Sequence, residues 1–416
     1  MRARLSVLLV LLSLTLGCWN RLELERRAII LGIGVDKVGE EIQLTAQIVK
    51  PAAVKGPGET GGEGKPFWVT TGTGRTLLAA VKDMATGSGR ELLFSHMRVI
   101  VVGEDLARAG IGPVLDFFDR AAEGRRRTWL LVSKGEAKEI LETNMELQKV
   151  SVEALTDLLK ARTDHSEAPG IDIQQFQRFR STPGRAPVAG WVYTAPSKEK
   201  GGPNRLHLRN SAIFRADKLI DYLDLTETRG LLWLTGQFKG GVTEIPCPDE
   251  DSKIFALENT RSESKLKVVK GDNGLPKLIA TVFTEGNLSE APECGDLTDP
   301  GFIKSLEQHQ AEIIRTEIEA TLSKARDLHA DFLGFGEMIY RRFPMQWSRL
   351  EPDWEQTFPK LEVQIEVNAK IRRIGQTNEP APVQSEIRTF RFTHAVPLAG
   401  PTYSQPAYPG QVIVPR

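Results

Sequence analysis

Three cysteines in 416 residues are too few for a disulfide-built scaffold. The six histidines, at 96, 165, 207, 309, 329 and 394, form no His-Glu-x-x-His or closely spaced Cys/His group, so no metal site is expected. Net charge is missing too: Lys plus Arg and Asp plus Glu both number 54, and no strongly basic domain points to nucleic acid. After Cys18 no apolar run approaches the roughly 20 residues of a membrane-spanning helix. The body is expected to be soluble and globular, with 40% hydrophobic and 26% charged residues.

Complete chemical motifs are also lacking. Gly32-Ile33-Gly34 has no third glycine for a dinucleotide loop, and Gly72-Thr73-Gly74-Arg75-Thr76 puts Arg75 where a phosphate-binding loop needs Lys. Gly334-Phe335-Gly336 is shorter still. All three read as bulges, turns or close-packing glycines. Ser88 has Thr86 where a nucleophile elbow needs glycine. No catalytic residue, cofactor or metal ligand is assigned.

What is present begins at the N-terminus. Arg2 and Arg4 precede an apolar and small-residue run from Leu5 to Gly17, the pattern of a secretory signal and too short to span a bilayer. It ends in Thr15-Leu16-Gly17-Cys18, a bacterial lipobox with Thr where Leu is usual. Residues 1–17 are therefore expected to be removed and Cys18 to carry lipid, holding an exported protein at a membrane. The mature chain keeps 52 basic against 54 acidic residues. Cys247 and Cys294 are then left as an even pair, which permits a disulfide without demanding one.

Along the chain, Ala28–Val35 reads as a buried strand and Ile42–Ile48 as a half-buried partner, with Asp36–Glu40 as their turn. Pro51–Gly64 is a Gly/Pro-rich loop, Pro66–Thr71 a strand and Thr76–Met84 a helix. Strands at Met97–Val102 and Thr128–Ser133 alternate with helices at Glu104–Ala122, Glu136–Leu141 and Val150–Leu159. Periodicity fades over Arg162–Gly202. The second half reads as a largely antiparallel meander: Ser211–Phe214, Lys218–Leu223, Thr235–Ile245, Lys253–Glu258, Lys265–Val269 and Lys277–Phe283. Asp299-Pro300 then starts a long helix to Leu328 with a stripe of Ile303, Leu306, Ile313, Ile318, Leu322 and Ala325. Leu361–Ile371 is a last strand. The expected fold is α+β and multi-lobed, with mixed or antiparallel sheets flanked by helices. The expected divisions are 1–17, 18–204 (one or two lobes), 205–375, and a Pro-rich tail, 376–416, read as mostly disordered.

Several segments resemble one family. Cys18-Trp19-Asn20-Arg21 followed by AIILGIGVDK, then SHMRVIVVGEDLARAGIGPVLDFFDR, and most closely AIFRADKLIDYLDLTETRGLLWLTGQFKGGV and DFLGFGEMIYRRFPMQWSRLEPDWEQTFPKLEVQIEVNAKIRRIG, are similar to the Ger(x)C family, the C subunits of spore germinant receptors. The resemblance covers roughly residues 16–375. It implies three α+β lobes, no enzyme activity, and a place on the outer face of the spore inner membrane beside polytopic A and integral B subunits. Two rivals remain open at this point: an exported lipid-anchored envelope enzyme and a solute-binding lipoprotein. Glu227-Thr228-Arg229-Gly230 is the most distinctive polar cluster. It reads as a helix start or turn with Glu and Arg tied to nearby backbone, the alternative being a partner-binding site.

Overall fold

Two hydrogen-bonded sheets organise the chain in a computed structural model that describes residues 27–374, apart from 51–66, 121–126, 144–149, 198–201, 203, 249 and 272–273. Cys18, the 51–64 loop and the 376–416 tail lie outside the described residues. In the first sheet β1 (Arg27–Val38) pairs antiparallel with β2 (Glu41–Val49), and β2 with β3 (Phe67–Gly74). Helix α1 (Leu77–Ser88) starts at Thr76, whose hydroxyl accepts from the Ala79 N–H at 3.2 Å. After β4 (Glu91–Leu93), β5 (Val99–Gly103) runs parallel to β1. Helices α2 (Glu104–Ala109) and α3 (Gly112–Arg120) lead to β6 (Trp129–Ser133), parallel to β5. Helices α4 (Ala137–Glu142), α5 (Ser151–His165) and α6 (Ile173–Ser181) lead to β7 (Val188–Ala195), parallel to β6. β8 (Arg205–Arg215) and β9 (Lys218–Leu223) close the sheet antiparallel. The order is β3-β2-β1-β5-β6-β7-β8-β9, with β4 beside β1.

The centre of that sheet is covered on both faces. Ile100 and Val102 of β5 join one apolar cluster, and Val99 and Val101 join the other with Val152, Leu155 and Leu159 of α5. This is the usual state of parallel strands linked by helical crossovers. It also corrects the half-buried expectation for β2, where Thr45 and Gln47 are fully buried. The Gln47 side chain is satisfied there: Nε2 donates to Leu141 O and Oε1 accepts from Val152 N, both at 2.9 Å. It thereby ties the end of α4 to the start of α5.

Helix α7 (Leu225–Leu234) leads into the second sheet, where β10 (Gly241–Cys247), β11 (Glu250–Lys270) and β12 (Pro276–Glu290) are antiparallel neighbours. Helix α8 (Pro300–Asp327) and the short helices α9 (Phe335–Arg342), α10 (Pro344–Leu350) and α11 (Trp354–Thr357) return the chain to β13 (Val363–Arg373), which lies parallel to β12. One apolar cluster runs from β1 and β5 through α7 and α8 to Leu278, Ala280 and Val282 of β12. The chain is thus α+β, with two mixed sheets flanked by helices.

Several local readings change. The helix expected over Glu104–Ala122 is two, separated at Gly110, whose φ of +129° an L side chain rarely adopts. The stretch without period holds α6 and β7. Helix α6 begins in a capping box in which Asp172 and Gln175 satisfy each other's backbone N–H. The strand expected from Thr235 begins only at Gly241, after α7. The strands at 253–258 and 265–269 are one 21-residue strand whose bulges at 256/257 and 259/261 shift its pairing with β12. Asp36 belongs to β1 and not to a turn. The turn-rich stretch around residue 204 joins two neighbouring strands of one sheet, with Tyr193 paired to His207 across it.

Helix α8 starts as its sequence suggests, with the Asp299 carboxylate accepting from Gly301 N at 2.9 Å and Pro300 in the first turn. Its buried stripe contains Leu306, Ile314, Ile318, Leu322 and Ala325, but also Gln310, Glu317 and Thr321. Ile303 and Ile313 are only half-buried. The polar members have partners on other elements, such as Asn259 of β11, whose Oδ1 accepts from Gln310 Nε2 at 2.9 Å.

Candidate functional site

Glu227-Thr228-Arg229-Gly230 lies at the start of α7. Asp224 and Glu227 form a capping box: Asp224 Oδ1 accepts from Glu227 N at 2.8 Å, and Glu227 Oε2 accepts from Asp224 N at 2.9 Å. Glu227 therefore marks a helix start. Arg229 does not turn to nearby backbone. Its Nε donates to Glu317 Oε1 at 2.6 Å, 88 residues away on α8, and Trp233 Nε1 donates to Glu317 Oε2 at 2.7 Å. Both charged side chains are about 11% exposed, and the guanidinium carbon sits 5.0 Å from the centre of the Phe238 ring. Burial pushes the Glu317 carboxyl above its ordinary range, while Arg229 and the Trp233 indole act against that rise.

The same four residues set how closely α7 approaches α8. A Cβ on Gly230 would lie 2.1 Å from both the Glu317 carbonyl oxygen and Thr321 Oγ1. Only glycine lets the two helices meet here. The Thr321 hydroxyl lies 2.6 Å from the Glu227 carbonyl to which it donates, and Thr228 is hydrogen-bonded to Ser211 of β8 at 3.1 Å. The partner of this polar cluster is internal. It joins the first sheet, α7 and α8.

The Gly-x-Gly-Val-Asp end of β1 is a second packing device. The Asp36 carboxylate accepts from Ala137 N at 2.7 Å and Lys138 N at 3.0 Å, capping the start of α4 across 101 residues. Burial raises its pKa, opposed by those two N–H groups. A Cβ on Gly34 would come 3.1 Å from Ala137, and one on Gly32 would come 2.6 Å from Val152 Cγ2. These glycines admit α4 and α5 to the sheet, as the close-packing reading requires.

A third cluster, absent from the sequence reading, joins the segment after α6 to the segment before α9. The buried Asp331 carboxylate accepts from Gly334 N at 2.8 Å, Phe335 N at 3.0 Å and Gly336 N at 2.6 Å. Its backbone oxygen accepts from Ala186 N at 2.9 Å. Beside it Arg185 is paired with Glu337, which also pairs with Arg341 at 2.6 Å, and the Arg185 guanidinium carbon lies 3.7 Å from the Phe179 ring centre. The only advance signal was an Asp shortly before a short helix. Burial drives the Asp331 pKa up to about 6, with the three N–H groups and Arg185 opposing.

That value gives Asp331 a pH signature. Between its unfolded pKa near 3.8 and its folded pKa of about 6, the folded chain holds a proton that the unfolded chain has released. Its stabilising contribution is complete below the lower value and is lost as pH rises through the upper one. Asp331→Asn cannot titrate. From about pH 7.5 to about pH 5, native stability should therefore rise relative to the Asn variant by about 1 kcal/mol. Urea unfolding at the two pH values measures this, and parallel pH profiles would reject it.

Cys247, at the end of β10, and Cys294, between β12 and α8, have Cα atoms 6.4 Å apart, inside the roughly 4.4–6.8 Å that a disulfide spans. Among the described residues no group of three or more His, Cys, Asp or Glu is placed to hold a metal ion. No helix among them is long and apolar enough to cross a membrane.

Comparison with known proteins places this architecture. Residues 20–192 match the spore germination protein N-terminal domain, and residues 209–375 match the spore germination B3/GerAC-like C-terminal domain. Spore germination protein KC of Bacillus subtilis (strain 168) is 28% identical over 395 residues, covering 90% of this chain and 97% of that protein. Spore germination protein B3 of the same organism is 26% identical, covering 90% and 98%. The crystal structure of the GerBC protein superposes with a TM-score of 0.53 at 19% identity, over 82% of this chain and 96% of that one, and so shares the fold. With both domain matches in sequence order over most of its length, the chain belongs to the GerAC-like, or Ger(x)C, family of spore germination proteins.

Proposed function

We propose that this chain is a lipid-anchored, non-catalytic subunit of a spore germinant receptor. It begins as a mature protein at Cys18, sits on the outer face of the spore inner membrane, and assembles with polytopic A and integral B subunits to respond to nutrient germinants. The match of both family domains carries the reading. The fate of its charged groups supports it: Asp36, Arg229, Glu317 and Asp331 are each engaged by helix caps or internal ion pairs. The lipobox supplies the anchor, the body over 18–375 carries the two family domains with their sequence boundary near residue 204, and Cys247 and Cys294 form a disulfide.

The test is Cys18→Ala in spores. Two acyl chains bury many CH₂ groups at about 0.8 kcal/mol each, and two chains hold stably where one holds only reversibly. The variant is expected to leave the detergent phase for the aqueous phase as a folded protein, since β1 begins nine residues later at Arg27. Nutrient-triggered germination should fall, because loss of the tether turns assembly with membrane subunits into a bimolecular event. Retention in the detergent phase at the native level would reject the anchor. Undiminished germination after full release would reject its role.

A further inference from the structure

Where α9 turns into α10 the fold leaves an apolar corner uncovered. Met345 is 83% exposed and Tyr340 46%. Across a groove of about 500 Å³, lined by Phe343 and Met345, stands the end of the β11–β12 hairpin with Leu275. The two walls are joined by Gln346 Nε2, which donates to Gly274 O at 3.1 Å. Among the described residues the groove's charged lining is positive: Lys270, Arg342 and Arg349, none of them in an ion pair there. The neighbouring Arg341 is already held by Glu337.

An apolar tip ringed by unneutralised cations is complementary to a surface that is apolar below and negative above. We propose that this corner contacts an anionic phospholipid bilayer, with Met345 and Phe343 entering the interfacial layer and Lys270, Arg342 and Arg349 reaching the headgroup phosphates. The inference rests on the reading that the chain works at a membrane face, and it adds the orientation of the body on that face. Three cations and a small apolar tip give reversible contact and not anchorage. The lipid on Cys18 would keep the corner close to the bilayer often enough for weak contact to orient the subunit.

The experiment uses the mature chain carrying Cys18→Ala, so that no acyl group contributes. Met345→Cys is labelled with an environment-sensitive nitrobenzoxadiazole probe under non-reducing conditions. Vesicles of phosphatidylcholine mixed with phosphatidylglycerol should shift the emission to the blue and raise it several-fold. Pure phosphatidylcholine should do so weakly, and added salt should reverse the effect. Arg342→Glu with Arg349→Glu should reduce the response several-fold; both residues are exposed, so the fold does not depend on them. The same probe at Tyr222→Cys, an exposed position on the first sheet, should not respond. No response at position 345, an equal one at 222, or one unchanged by the charge reversals overturns the proposal. Because this chain lacks lipid, its failure leaves the Cys18 phase-partition result standing.

Discussion

Replacing Arg229 by Ala is expected to lower unfolding stability by about 3–5 kcal/mol, the usual cost of removing one member of a buried ion pair. The loss comes less from the attraction removed than from the charge left behind. Glu317 would keep only the Trp233 N–H, at 2.7 Å, in a site already unfavourable to a carboxylate. Exchanging both Arg229 and Glu317 for apolar residues of similar volume should cost much less, since buried pairs often can be replaced by well-packed hydrophobes. The double-mutant cycle should therefore show strong coupling. Acid should distinguish the single variant further. A carboxyl raised by burial contributes stability that is present below its unfolded pKa and lost as pH rises through its folded one. With Arg229 gone, Glu317 rises further, so the deficit should shrink at mildly acidic pH. Urea midpoints at neutral and mildly acidic pH measure both effects, and a loss below about 1 kcal/mol would remove the pair from the account of how α7 is held.

Reduction of Cys247 and Cys294 is expected to cost about 2–4 kcal/mol on the chain-entropy account of a bond closing 47 residues of separation. The bond would tie β10 to the segment that leaves β12 and enters α8. Cys247 is buried in a cluster with Ile245, Phe255, Leu257, Leu288, Leu297 and Leu306, so the apolar contacts would remain after reduction. The loss should therefore appear mainly as easier opening of the β10 and α8 ends, with the first sheet less affected. Hydrogen exchange with and without reductant would show that distribution. The Cys247→Ala and Cys294→Ala double variant should match the reduced chain in urea. Mass analysis finding two free thiols in unreduced exported protein would reject the bond.

Features were legible in the residues wherever one stretch of chain supplies both halves of the signal. The apolar alternation of β12, the turn at Ala216 and Asp217 between β8 and β9, and the Asp299-Pro300 start of α8 are local patterns that packing did not override. Family membership was legible for the same reason, in unbroken blocks such as residues 212–242 and 331–375. The close-packing reading of Gly32 and Gly34 was also available from residues alone, and a Cβ at either would press on α4 or α5.

Tertiary structure alone decided which groups answer one another over long separations. Arg229 is a charged residue next to a glycine in any local window; its partner stands 88 residues on, in what periodicity marks simply as a helix face. Asp36 reads as the first residue of a turn because its two N–H donors lie about a hundred residues away. Asp331 gains its raised pKa only when folding buries it away from water, an effect that outweighs the opposing pull of Arg185 and of the Gly334, Phe335 and Gly336 N–H groups. Strand β7 was hidden because consecutive residues are buried on both its faces, which removes any alternation, and helix α6 because its short apolar stripe is only Ile173, Phe176 and Phe179 among polar residues. Local pattern fixes what a segment can become, whereas burial fixes the energy of its polar groups, and burial exists only after distant segments have met.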